Sequence, residues 1–174
     1  MFKKYKMDFD SRYDEMFLEA DQLIANQQIK SALELLLQII EEQPDYGRAH
    51  NHLGWIYEYK LRAFDKAENH YRAALHFSPD YPAPWLNYAY FLSNLRRYDE
   101  LEKHLSNCLK VPGVYISTIY NEYGVLYEMK EDYQKAINNY EKAIKYTLDA
   151  KDIDAYKKSI ERAKEKLHQN DEYE

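Results

Sequence analysis

Four small residues recur at a nearly fixed interval along this chain: Ala20, Gly54, Ala89 and Gly124 are separated by 34, 35 and 35 positions. A repeat that short cannot bury a core by itself, so each copy must lean on its neighbours in an array. Further positions keep the same phase. A large residue precedes the small one in three copies (Leu53, Tyr88, Tyr123), and a large apolar one follows three places later (Tyr57, Leu92, Tyr127). In the second and fourth copies come Ala67 and Ala136, then Tyr71 and Tyr140, then Ala74 and Ala143, and Pro79 closes the second. The first and most diverged copy keeps Leu23, Ala32, Leu36 and Pro44.

Within each copy the apolar residues fall at three- and four-residue intervals, the signature of one helix face. Tyr120, Tyr123, Gly124 and Tyr127 form one stripe, and Ala136, Ile137, Tyr140, Ala143 and Ile144 the next. The polar stretch Lys130-Glu131-Asp132 separates them, with Asp132 placed to cap the second helix. Asp65-Lys66-Ala67-Glu68 has capping-box spacing in the second copy. Each copy therefore reads as an antiparallel helix pair, its two helices brought close by the small residues. Leucine at Gly54 or Gly124 should cost on the order of 1–3 kcal/mol by overpacking. Leu101 and Cys108 replace the two alanines in the third copy, which predicts a wider pair there. The second copy holds one extra residue, assigned to the turn before Asp65. From Asp152 to His168 a further amphipathic helix, with Ile153, Tyr156, Ile160, Ala163 and Leu167 on one face, is suited to cover the last repeat. Four glycines and five prolines leave little material for the turns of a many-stranded sheet.

The order small, aromatic, alanine, aromatic, alanine, proline over about 34 residues resembles the tetratricopeptide repeat. Leu53-Gly54, Tyr57, Ala67, Tyr71, Ala74 and Pro79 carry the resemblance in the second copy, Trp85 in the third, and Tyr123-Gly124, Tyr127, Tyr133, Ala136, Tyr140 and Ala143 in the fourth. It implies an all-α, right-handed solenoid of about four helix pairs with a C-terminal capping helix. The expected organisation is an N-terminal extension at 1–10 and four repeats within 11–148, at about 13–46, 47–81, 82–116 and 117–150. A capping helix at 151–169 and a polar tail at 170–174 complete it.

The resemblance further implies that the first helices of the pairs line a concave groove. Asn51, Trp55, Tyr59, Asn87, Tyr90, Asn121 and Glu128 are the expected peptide-binding residues, with Phe17, Asp21, Leu86 and Val125 on or near the same face. Amides donate to and accept from a peptide backbone, and aromatics add contact area at low entropic cost. The carboxylate clamp of chaperone adaptors, a Lys, Asn, Asn, Lys, Arg set, is not matched. Its places hold Phe17, Asp21, His52, Ala83 and Asn87 in one register and Asn51, Trp55, Asn87, Thr118 and Glu122 in the other, without the cations a carboxylate requires.

Other chemistries find no motif. The net charge is −6, and the basic residues near the end (Lys157, Lys158, Arg162, Lys164, Lys166) alternate with acidic ones, which speaks against a nucleic-acid stripe. His50 and His52 diverge by about 200° on a helix, a poor spacing for a metal pair. The glycines are scattered, so no phosphate loop forms. Cys108 is single and at a packing position, which predicts a buried, inert thiol. The charged start MFKKYKMDFDSRYDE lacks the apolar run of a secretory signal, and no segment reaches membrane-spanning length. The expectation is a cytoplasmic, non-enzymatic protein-interaction module, an adaptor or scaffold without cofactor, metal, nucleic acid or membrane. Its partner is another protein or peptide. Self-association through the terminal repeats is the first alternative, and a regulatory subunit of an enzyme the second.

Overall fold

The computed structural model describes residues 11–171, and among them every regular element is helical. The expected N-terminal extension and residues 172–174 of the tail lie outside the described residues. The chain divides into two compact units, 1–79 and 80–174.

The first unit holds α1 (Ser11–Ala25), α2 (Ile29–Glu42), α3 (Gly47–Trp55) and α4 (Phe64–Phe77). Ala20, Ala32, Leu36, Ile39, Leu53, Ala67, Tyr71 and Ala74 are buried, so the phased positions are the core positions. Gly54 is the point of closest approach in the second pair: a Cβ there would lie 2.6 Å from the Tyr71 ring. The extra residue of this pair is not in the turn where it was expected. It is absorbed in a π-helical turn, Ile56–Lys60, which continues α3. The Leu61 amide donates to the Ile56 carbonyl at 3.1 Å, and the Ala63 amide to the Tyr57 carbonyl at 2.8 Å. Widening one turn of the ladder lets Gly54 and Tyr71 keep their packing register on either side of the insertion. The capping box also needs correction. Helix α4 starts at Phe64, its N-cap is Ala63, and no side chain caps it, so Asp65 lies inside the first turn. There it still opposes the positive end of the helix.

The second unit holds α5 (Pro82–Asn94), α6 (Tyr98–Cys108), α7 (Ile116–Met129), α8 (Tyr133–Lys145) and α9 (Ala150–Asp171). Pro82 opens α5, where its missing amide proton costs nothing. Asp132 caps α8 as expected, accepting from the Lys135 amide at 3.1 Å. The backbones of α5 and α6 approach each other less closely than those of the other pairs, in line with the bulk of Leu101 and Cys108, both fully buried. Gly124 packs under the Tyr140 ring, with no room for a Cβ. Helix α9 lays Ile160 and Ala163 onto Ala136, Ile137 and Tyr140 of α8.

The turn inside every pair has the same backbone signature. Gln27, Arg62, Arg96 and Glu131 all have positive φ, each one residue before the N-cap of the second helix. None is glycine, so each carries a strain of roughly 1 kcal/mol that the surrounding packing sustains.

Candidate functional site

Two buried carboxylates organise the second and fourth pairs in the same way. The Tyr71 hydroxyl donates to Glu58 at 2.8 Å in the first unit, and the Tyr140 hydroxyl donates to Glu128 at 2.8 Å in the second. Each glutamate lies four residues after the glycine that accommodates the tyrosine ring. Glu128 has further partners: Arg162 reaches both its oxygens at 2.8 Å, and Lys166 reaches Oε1 at 2.8 Å. Burial alone would raise the Glu128 carboxyl, but hydrogen bonds from Arg162, Lys166 and Tyr140 outweigh it and hold it at about 2. Glu128 was expected to face a ligand. The structure places it under α9, with both oxygens engaged inside the molecule.

The other expected groove residues divide between the units. In the first, Asn51 is buried at 3 % exposure, Trp55 is half-buried and Tyr59 is exposed. The rings of Trp55 and Tyr59 lie 5.9 Å apart, with the Lys60 ammonium 5.1 Å from the Trp55 ring centre. Phe17 is core, its ring edge-on to His52 at 4.7 Å and under the Arg48 guanidinium at 4.2 Å. In the second unit Asn87 and Tyr90 on α5 and Asn121 on α7 are half-buried, and α5 and α7 touch over a short stretch. The Asn121 amide donates to Glu122 at 3.2 Å. Burial pushes the Glu122 carboxyl up to about 7, against the lowering effect of that hydrogen bond.

Two features were missed by sequence reasoning. In the second unit a cavity of about 390 Å³ is lined by Tyr120, Tyr123 and Tyr127 of α7, Lys135, Asn138, Asn139 and Lys142 of α8, and Leu109. Its tyrosines were legible only as a packing stripe, because the three- and four-residue spacing does not say whether a ring meets a helix or a void. In the first unit, His50 and His70 meet Nδ1 to Nδ1 at 3.0 Å. His50 Nε2 lies 2.9 Å from the Pro44 carbonyl, which can only accept, so His50 carries its proton there and accepts from His70 at Nδ1. Burial lowers both imidazoles, with charge repulsion from His50 and Lys66 adding to it at His70, which falls to about 4. Cys108 is buried, its thiol 3.7 Å from the Trp85 carbonyl and pushed up by burial to about 12. Among the described residues no cluster of three or more His, Cys, Asp or Glu could hold a metal ion, and no helix is long and apolar enough to cross a membrane.

Comparison with known proteins follows the same lines. Two models described as tetratricopeptide repeat match, one over residues 17–100 and one over 117–149. No curated protein matches the sequence. Among solved structures, PilF of Pseudomonas aeruginosa superposes with a TM-score of 0.77 at 18 % identity, over 92 % of this chain and 70 % of its own. PilW, a widely conserved type IV pilus biogenesis factor, gives 0.71 at 19 % identity over 88 % and 78 %. A thermophilic repeat protein of Thermus thermophilus gives 0.69 at 18 % over 86 % and 82 %. At these identities the likeness is one of fold.

Proposed function

The chain belongs to the tetratricopeptide repeat family, and from that premise we propose that it is a protein-interaction module that holds a peptide segment of a partner protein. Helical repeats of this kind present a surface without strand edges or catalytic loops, so the binding chemistry must come from side chains on helix faces. The observation that carries the reading is the contact of α5 with α7 and the residues the two helices bear. The two helices touch and bear Asn87, Tyr90 and Asn121 half-buried. Half-buried amides on rigid helices are held in place before a ligand arrives, which lowers the entropic cost of binding a peptide backbone. In the first unit, Trp55 and Tyr59 offer an aromatic surface of the same type. Glu128 is left out of the reading because its oxygens are engaged by α8 and α9. The type IV pilus factor PilW has a similar fold, and a role as an assembly scaffold is compatible with this reading.

The test is affinity capture from the native host with the full chain and with the Asn87→Ala/Tyr90→Ala double variant. The partner is expected to be lost from the variant while its helical circular dichroism and melting are kept. Equal recovery of the same partner by a folded variant would remove the α5–α7 face from the account.

A further inference from the structure

The cavity on the α7–α8 pair is not part of the face assigned above, and its chemistry is different. Its floor is aromatic: Tyr120 and Tyr123 lie 6.4 Å apart, Tyr123 and Tyr127 also 6.4 Å, and the Tyr127 ring is nearly parallel to that of Tyr123. Two lysines of α8 stand over this floor. The Lys135 ammonium is 5.2 Å from the Tyr127 ring centre and the Lys142 ammonium 5.4 Å from that of Tyr120. No carboxylate lines the cavity. Lys135 is paired with Asp132 at 2.7 Å, whereas Lys142 has no carboxylate partner among the described residues. In a chain of net charge −6, the lining itself holds two cations and no carboxylate, with Asp132 engaging Lys135 and Glu102 the Tyr127 hydroxyl just outside it. Cations held on ring faces have already given up part of their hydration, so a carboxylate finds them at lower desolvation cost than free lysines.

We propose that this cavity docks an extended acidic segment of a partner polypeptide. Lys135 and Lys142 are seven residues apart, which sets them about 10 Å apart along the α8 axis. An extended peptide in the polyproline-II conformation advances about 3.1 Å per residue with three residues per turn, so carboxylates at positions i and i+3 share one face about 9 Å apart and match the two ammonium groups. An apolar side chain between them lies on the Tyr123 ring. The Asn138 amide, whose oxygen accepts from Gln134 at 3.2 Å, keeps its own donors for the peptide carbonyls. A polyanion such as a nucleic acid fits less well. Two lining cations, with the Glu102 carboxylate accepting from the Tyr127 hydroxyl at 2.6 Å beside them, are too few for a continuous run of phosphates. The proposal goes beyond the α5–α7 reading and stands without it.

The experiment is a titration of the ¹⁵N-labelled full chain with the peptide acetyl-Glu-Ala-Phe-Glu-amide, followed by amide chemical shifts. Shifts are expected to cluster on α7 and α8 around Tyr123 and Lys142, and to weaken as salt is raised. The isosteric acetyl-Gln-Ala-Phe-Gln-amide should bind at least fivefold more weakly, as should the first peptide to the Lys142→Glu variant. Lys145→Glu, exposed on the same helix and outside the lining, should bind as wild type, and so should Asn87→Ala/Tyr90→Ala. The proposal is overturned by no saturable shift at millimolar peptide, by equal binding of the Gln peptide, or by an unaffected Lys142→Glu variant. Preferential binding of heparin or single-stranded DNA at the same amides would overturn it in favour of a polyanion site.

Discussion

The second and fourth helix pairs are built on one device and differ in how the chain reaches it. In both, a glycine on the first helix lies under a tyrosine ring of the second, and the tyrosine hydroxyl returns to a buried glutamate four residues past the glycine. The fourth pair runs from Gly124 to Tyr140 through an ordinary helix end. The second has one residue more between Gly54 and Tyr71, and a π-helical turn takes it up. The packing contact is thus the fixed quantity and the backbone hydrogen-bond pattern the adjustable one. The entry to the second helix differs too. Asp132 caps α8, whereas Ala63 stands at the same place before α4 with nearly the same dihedrals, φ −97° and ψ 75° against −87° and 72°.

The sharpest way to break the comparison is to fill the glycine sites. Gly124→Leu should cost about 3 kcal/mol and Gly54→Leu a similar amount, since each ring is tethered by its hydroxyl and cannot swing aside. Chemical denaturation of the two variants checks this, and a cost below the error in either would show that the ring is not fixed. Next in size is the clasp that α9 lays on the glutamate of the fourth pair. Arg162→Ala leaves Glu128 buried with Lys166 and Tyr140 as partners and should cost about 2 kcal/mol, moderated by the half-exposure of the guanidinium. Because the Glu128 carboxyl sits at about 2 in the folded protein, its contribution is present above the ordinary carboxylate range and lost as pH falls from about 4.5 towards 2. That acid loss should shrink in Arg162→Ala, which a pH series of denaturation midpoints would measure.

The two units should also respond oppositely between pH 7 and 5. The lowered His50 and His70 imidazoles bind fewer protons folded than unfolded, so their contribution is present above about 6.5 and lost as pH falls towards 4. The raised Glu122 carboxyl binds more protons folded, so its contribution is present below about 4.5 and lost as pH rises through 7. Acidification from 7 to 5 is expected to lower amide protection in α3 and α4 by on the order of 1 kcal/mol relative to α7. His70→Gln should shrink that difference and leave the part due to Glu122, as hydrogen exchange at the two pH values would reveal. The smallest effect sharpens the comparison instead of breaking it. Asp132→Ala should cost about 1 kcal/mol, and Ala63→Asp should gain about 0.5–1 kcal/mol by supplying the side-chain cap that α4 lacks.

Most of the fold was legible because the repeat is set by a steric requirement. Only a small residue fits beneath Tyr71 or Tyr140, and such positions stand out at fixed intervals even when the rest diverges. Asp132 was legible as a cap for a similar reason, since its role depends on the next three residues alone. The extra residue was misplaced because spacing counts residues between anchors and does not say which turn yields. The capping box was misread because α4 starts one residue before Asp65, at a boundary that the packing of Ala67 determines. Glu128 was taken for a ligand-facing residue because its cations come from 34 and 38 positions away, on a helix whose docking geometry has no local signature. The imidazole pair has the same origin, since His50 and His70 meet across α3 and α4.

The central claim is that a partner polypeptide lies on the face carrying Asn87, Tyr90 and Asn121. Hydrogen–deuterium exchange of the full chain, alone and with its captured partner, tests that claim most directly. The account predicts new protection concentrated in residues 82–94 and 116–129, absent when the Asn87→Ala/Tyr90→Ala variant is mixed with the same partner. Protection confined to the exposed faces of α6 or α9, with 82–94 and 116–129 unchanged, would contradict it.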